Sequence, residues 1–371
     1  MNYQENFYNS SNIIILIVLS FLTLSISLVG LVYEPLVILA RAMAYSSVVF
    51  LIIFYLYKSD FIFKFEGNLF FLFLLVIWVG LRTNNIYGLG LLLQTIFLFL
   101  GAFILRNINF MYKVDKALVI GAFLFLFIAS THFFVTPVFN NTNYIGVCGL
   151  IFFVIFASRQ TKFFYILAFL CLILIFLSGT RSAILGLVVG YFLFKIFNFK
   201  GLLRFFLIFL LVIICILFFN SGYYDYLNSD AFAQAVIDKT GKRLESGRFE
   251  IWDLIFSRMD FFDYMFGLGG GTNYESILGS KLSAHSGYVY IISSYGVVGL
   301  FLFLMASILS LIELFRNKYY FSFLLFVALL FREIFEVTLL HNSFPIALLF
   351  WVFISNGYLD KFRLHNSCDR V

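Results

Sequence analysis

Three basic side chains stand at points where charge near an apolar run needs a reason. Arg181 opens such a run in the string SGTRSAILGLVVG, directly after Ser178, Gly179 and Thr180. A guanidinium, two hydroxyls and the free N–H groups of a helix N-terminus together suit an anionic ligand. The same placement suits an arginine that snorkels and only anchors its helix, and residue type alone leaves both readings open. Arg248 starts the segment GRFEIWDLIFSRMDFF, where it is either a ligand or a solvated loop charge. His285 begins the string HSGYVYIISSYGVVGLF; an imidazole at a membrane interface can act as a general base or serve structure. His341 and His132 compete for that role, and Glu34, Glu333 and Glu336 are carboxylate alternatives.

Other chemistries lack their residues. No Walker loop, dinucleotide fingerprint or His/Cys/Asp cluster of metal-binding spacing occurs, so nucleotide-driven work and a metal site are not expected. Cys148, Cys171 and Cys215 lie inside apolar runs and Cys368 in the tail, which argues against a disulfide framework.

The elements that must position these residues are membrane helices. Only 12% of the 371 residues are charged and 54 are Phe, whereas soluble domains carry about 25% charged residues. Apolar runs fall at 12–32, 36–57, 67–81, 86–105, 117–136, 144–158, 163–179, 182–198, 202–219, 286–312, 319–338 and 344–360. A helix crosses the hydrocarbon in roughly 20 residues, so about twelve spans are expected. The first is read as a retained span, because no basic residue precedes it and no cleavage site follows.

The net charge of +6 does not point to nucleic acid, because the basic residues are scattered between the runs. Fifteen of them follow even-numbered runs, and only Arg41, Arg82, Arg181 and Arg332 occupy the short opposite connections. That bias puts both termini in the cytoplasm. The expected organisation is an all-α, polytopic transmembrane helix bundle with spans over 1–219, a large periplasmic loop over 220–285, and spans plus a cytoplasmic tail over 286–371.

Long connections are usually functional or disordered, and this one reads as folded. From Ser246, an N-cap candidate, Phe249, Trp252, Phe256 and Met259 share one helical face, while Glu250, Asp253, Ser257 and Asp260 share another. The turn GLGGGT, Gly267 to Thr272, ends this amphipathic helix. Gly186 and Gly190, with Ser182, form a small-residue face for close helix packing.

Four strings in order resemble the O-antigen polymerase and O-antigen ligase superfamily of bacterial envelope glycosyltransferases. FNNTNYIG resembles its asparagine-containing segment, and SGTRSAILGL its Ser/Arg motif at a helix start. GRFEIWDLIFSRMDFFDYMFGLGGG resembles its Arg-x-x-x-Trp helix with a Gly-rich turn, and AHSGYVYIISSYGVVGLFLFL its His-Asn motif before a Gly-containing span. The resemblance covers about 139–304, with Ser286 standing where the motif usually has Asn.

The resemblance implies an inner-membrane enzyme that takes a polyprenyl diphosphate-linked glycan as donor, without metal or other cofactor. Arg181 and Arg248 would bind the diphosphate and stabilise charge on the leaving group, Asn143 and Trp252 would contact substrate, and His285 would be the base. The implied partners are the lipid-linked glycan, membrane lipids, a flippase and a chain-length regulator, with no nucleic acid. A polymerase of surface polysaccharide is the leading expectation. A ligase acting on lipid A core or protein shares the chemistry. A repeat-unit flippase would instead need two related halves and charges within several spans.

Overall fold

The computed structural model describes residues 16–57, 67–107, 115–159, 161–198, 248–272, 274, 284–340, 343–357 and 359–360. The ninth apolar run, Ser246, most of the 220–285 loop and His341–Asn342 lie outside these residues. Each of the other runs carries a helix: α1 (Leu16–Leu28), α2 (Glu34–Tyr57), α3 (Asn68–Leu81), α4 (Ile86–Asn107), α5 (Asp115–Phe134), α6 (Thr142–Ala157), α7 (Lys162–Ser178) and α8 (Arg181–Asn198). Beyond the loop come α9 (Arg248–Ser257), α10 (Phe261–Phe266), α11 (Gly287–Arg316), α12 (Tyr320–Arg332) and α13 (Phe344–Leu348), which passes into a π-helical turn, Leu349–Ile354. Among the described residues extended pairing is limited to two isolated bridges, Leu31 with Phe139 and Thr83 with Gly270.

These helices are apolar on faces that pack and on faces that do not. In α7, Leu167, Ala168, Cys171, Leu174 and Ile175 are buried against the bundle, while Phe169, Leu170, Phe176 and Leu177 point outward and exposed. A helix hydrophobic all round on the outside of a bundle has lipid as its solvent. By length and hydropathy α2, α4 and α11 suffice to cross a membrane, and the shorter apolar helices pack among them. The chain is a membrane protein with an all-helical fold. A close crossing joins α8 to α12, where a Cβ on Gly186 would lie 2.6 Å from the Ala328 carbonyl and one on Gly190 2.8 Å from that of Leu324.

Two local departures from the sequence expectation shape the site end. The amphipathic loop helix is two helices, not one. Asp260, expected on the polar face of a continuous helix, instead caps α10: its carboxylate accepts from the Asp263 N–H at 2.7 Å, and Asp263 returns the contact. That capping box satisfies orphan donors better than continuing the helix through Met259 and Asp260 would.

The second departure lies in α11, which breaks at Gly296 (φ +70°). The freed carbonyls are all answered. Ser293 and Ser294 accept from the N–H groups of Leu268 and Gly269 at 2.8 and 3.0 Å, and Tyr295 accepts from the Trp78 indole at 2.7 Å. The Gly-rich turn therefore plugs a helix break. Its other side is held by Arg82, whose guanidinium donates to the Gly267 carbonyl and whose carbonyl accepts from Gly270 at 2.7 Å.

A Cβ at Gly296 would fall 2.2 Å from the Met265 carbonyl oxygen, on a backbone that L side chains rarely adopt. Gly296→Ala is expected to destabilise the fold by about 2–4 kcal/mol. Thermal unfolding in detergent checks this; an unchanged midpoint would contradict the close approach.

Candidate active site

The turns flanking these helices gather at one end of the bundle, tied in a chain of hydrogen bonds. The α5–α6 turn pairs with the α1–α2 turn through Val32 N–H to Val138 O at 2.8 Å and Asn140 to Leu31 O at 2.9 Å. Gly287 donates to the carbonyls of Glu333 and Glu336 at 2.7 and 3.1 Å, docking the start of α11 on the turn after α12. Between these turns lies a cavity of about 150 Å³ lined by Asn141, Asn143, Tyr144, His285, Arg332 and Glu336, with Thr338 beside them.

His285 is held there by its neighbours on both sides. Its φ of +50° is uncommon for a residue with a side chain, and such a conformation persists only where its surroundings fix it. On one side the Trp252 indole donates to the Ala284 carbonyl at 2.7 Å. On the other, Ser286 caps α11 by accepting from Val289 N–H at 3.4 Å. Ser and Asn are about equally good N-caps, so Ser286 keeps the helix start that an Asn would give. Burial lowers the pKa of His285 below the usual histidine value; the Glu336 charge raises it and the Arg248 charge lowers it further. The imidazole is therefore neutral at neutral pH, the form in which it can accept a proton.

Glu336 is the hub of the site. The same carboxylate oxygen accepts from the Asn143 amide at 2.5 Å and from the Arg248 guanidinium at 3.4 Å. Arg248 also lies over the Phe335 ring, 6.0 Å from its centre. Behind α9, Ile255, Met259, Ala284 and Val289 form a small apolar core that Trp252 and Phe256 cover. That core, more than any single bond, sets the height of α9 against His285.

Four of the five residues singled out by sequence thus come together: His285 and Asn143 line the cavity, Arg248 joins them through Glu336, and Trp252 fixes the residue before His285. Arg181 does not line the cavity and its side chain is exposed. It follows Thr180, whose hydroxyl bonds to the Thr142 carbonyl at 3.3 Å, one residue from Asn143.

The alternative bases separate clearly. His132 uses Nδ1 to accept the N–H groups of Val138 and Phe139 at 3.0 and 3.1 Å, a structural task. The Glu333 carboxylate is buried and accepts from Thr338 and Leu339. Glu34 is exposed at the N-terminus of α2. Arg332 was not singled out as a site residue by sequence; its one signal was its place on the side of the bundle that the charge bias avoids.

Trp252→Phe removes one hydrogen bond, about 0.5–1.5 kcal/mol, yet frees the backbone that aims His285. Activity is expected to fall about tenfold with little change in thermal stability, since small misplacements of a reacting group are costly. Equal activity in a transfer assay would show that His285 needs no such clamp.

A family model described as O-antigen ligase matches residues 166–304. No curated protein matches the chain. The matched stretch holds Arg181, Arg248, Trp252 and His285. Over residues 166–304 the chain is similar to the O-antigen polymerase and ligase superfamily.

Proposed function

We propose that the protein is a glycosyltransferase of the bacterial inner membrane that joins polyprenyl diphosphate-linked repeat units into a surface polysaccharide. The observation that carries this reading is a half-buried His285 sharing a cavity with Asn143 and Glu336, which Arg248 joins through its ion pair, within a chain whose residues 166–304 are matched by the O-antigen ligase family model. His285 takes the proton of the acceptor hydroxyl as its oxygen bonds to the anomeric carbon of the donor. The carbon–oxygen bond to the diphosphate breaks, and its electron pair leaves with the lipid diphosphate. Arg248, with Arg181, offsets the charge that builds on that leaving group. Both termini lie in the cytoplasm, the site faces the periplasm, and apolar helix flanks hold the polyprenyl tail.

The pH dependence has a fixed sign. Transfer needs neutral His285, so its rate falls as pH drops through a pKa that burial has pushed below the usual histidine range. A profile whose acid limb lies above that range would contradict the assignment.

The ligase reading is favoured by the description of the matching family, and differs in the acceptor alone. Deleting the gene and resolving the surface glycan on a gel separates the two. Loss of the ladder with one repeat still on the core fits a polymerase. Glycan accumulating on its lipid carrier fits a ligase. An unaltered glycan profile contradicts both.

A further inference from the structure

Arg332 is the last residue of α12 and only 2% exposed. It lines the same cavity as His285 and Asn143. Among the described residues its guanidinium makes one hydrogen bond, from Nη1 to the Thr338 hydroxyl at 3.2 Å, and its buried Nε–H has no partner. A guanidinium carries five N–H donors, and a buried one left short of acceptors is unfavourable.

The neighbouring carboxylate reaches Arg332 only through the Thr338 hydroxyl, which accepts from Arg332 and donates to Glu333. Glu333 is directed to the Thr338 and Leu339 N–H groups at 2.5 and 2.7 Å and to the Thr338 hydroxyl at 2.9 Å. Its charge is answered by those donors, and that of Arg248 is answered by Glu336 at 3.4 Å. Among the described residues that line the cavity Arg332 is the one arginine or lysine, and no acidic group is bonded to it directly. The space in front of it, about 150 Å³, is many times the roughly 10–15 Å³ that admits one water, and has room for a phosphate-sized anionic group.

We propose that Arg332 is the inner ligand of the donor's diphosphate, binding one phosphate within the cavity that also holds His285 and Asn143. The inference rests on the glycosyltransferase reading and adds a cation from outside the matched family region. The phosphate enters beside Asn143, whose amide is within hydrogen-bonding reach of Glu336, and Arg332 donates from Nε as well as from the terminal nitrogens. An ammonium in place of the planar fork would lose the second donor.

The test uses the full-length protein in detergent with farnesyl diphosphate, farnesol and inorganic diphosphate as probes. Arg332→Gln is expected to weaken farnesyl diphosphate about tenfold or more while leaving farnesol unaffected. Arg332→Lys, which keeps the charge and guards against a folding failure of the first variant, is expected to weaken it by a smaller factor. Inorganic diphosphate lost in parallel supports anion recognition. Inorganic diphosphate lost alone, with farnesyl diphosphate unaffected, overturns the lipid-linked source. Wild-type protein that does not distinguish farnesyl diphosphate from farnesol overturns the glycosyltransferase reading itself. Wild type that distinguishes them, with both variants equal to it, overturns the role of Arg332 alone.

Discussion

His285→Ala is expected to abolish long-chain glycan in cells while the protein remains in the membrane at its normal level. Removal of a general base lowers a rate by about 10²–10⁴-fold, and among the described residues no second base stands ready in the cavity. His132 is occupied by two backbone N–H groups. Glu333 is occupied by Thr338 and Leu339. Glu336 is bonded to Asn143 and Arg248. His285→Gln retains hydrogen-bonding capacity and much of the volume but cannot carry the proton, so it should fail as completely. A full-length ladder on a gel from cells carrying either variant at normal abundance would end the assignment.

Arg248→Ala should lose about 10²–10³-fold in transfer, the usual effect of deleting one group aimed at developing charge. Arg248→Lys should fail nearly as badly if the planar fork is what binds the diphosphate. The same substitution carries a second signature. Arg248 lowers the pKa of His285 and Glu336 raises it. Removing the guanidinium therefore shifts the acid limb of the pH profile upward, whereas Glu336→Gln shifts it downward. A limb that stays in place in both variants would show that neither charge acts on His285.

The helices were legible because a bilayer-spanning segment needs only length and apolarity, both of which sequence displays directly. What escaped reading were features in which one residue type serves two purposes. Asp260 falls on the polar face of a continuous helix by spacing, yet its side chain caps a new one. Gly296 falls inside the apolar run 286–312 without any mark of its own, and breaks α11 so that the Gly-rich turn can seat on its carbonyls.

The site divides along the same line. His285 stands out by type and position, since titratable groups beside apolar runs are conspicuous, whereas Arg248 reads as an ordinary loop charge until its string is compared with the family's Arg-x-x-x-Trp helix. The bond between Asn143 and Glu336 spans 193 residues and leaves no local trace. Arg332 carried a trace, a positive charge on the side that the positive-inside bias avoids. Arg82 carried the same trace and proves to be a brace for the Gly-rich turn. An arginine on the disfavoured side is thus a sign of obligation, and only its partners tell scaffold from ligand. Arg181 bears that sign too, exposed and outside the cavity lining.

A single-turnover measurement with purified protein and a defined lipid-linked repeat unit, made on wild type and His285→Ala alongside donor binding, reaches the centre of the mechanism. Donor affinity unchanged, with bond transfer slowed by about two orders of magnitude or more, is the outcome a base in this cavity requires. Transfer at the wild-type rate would place the proton acceptor elsewhere.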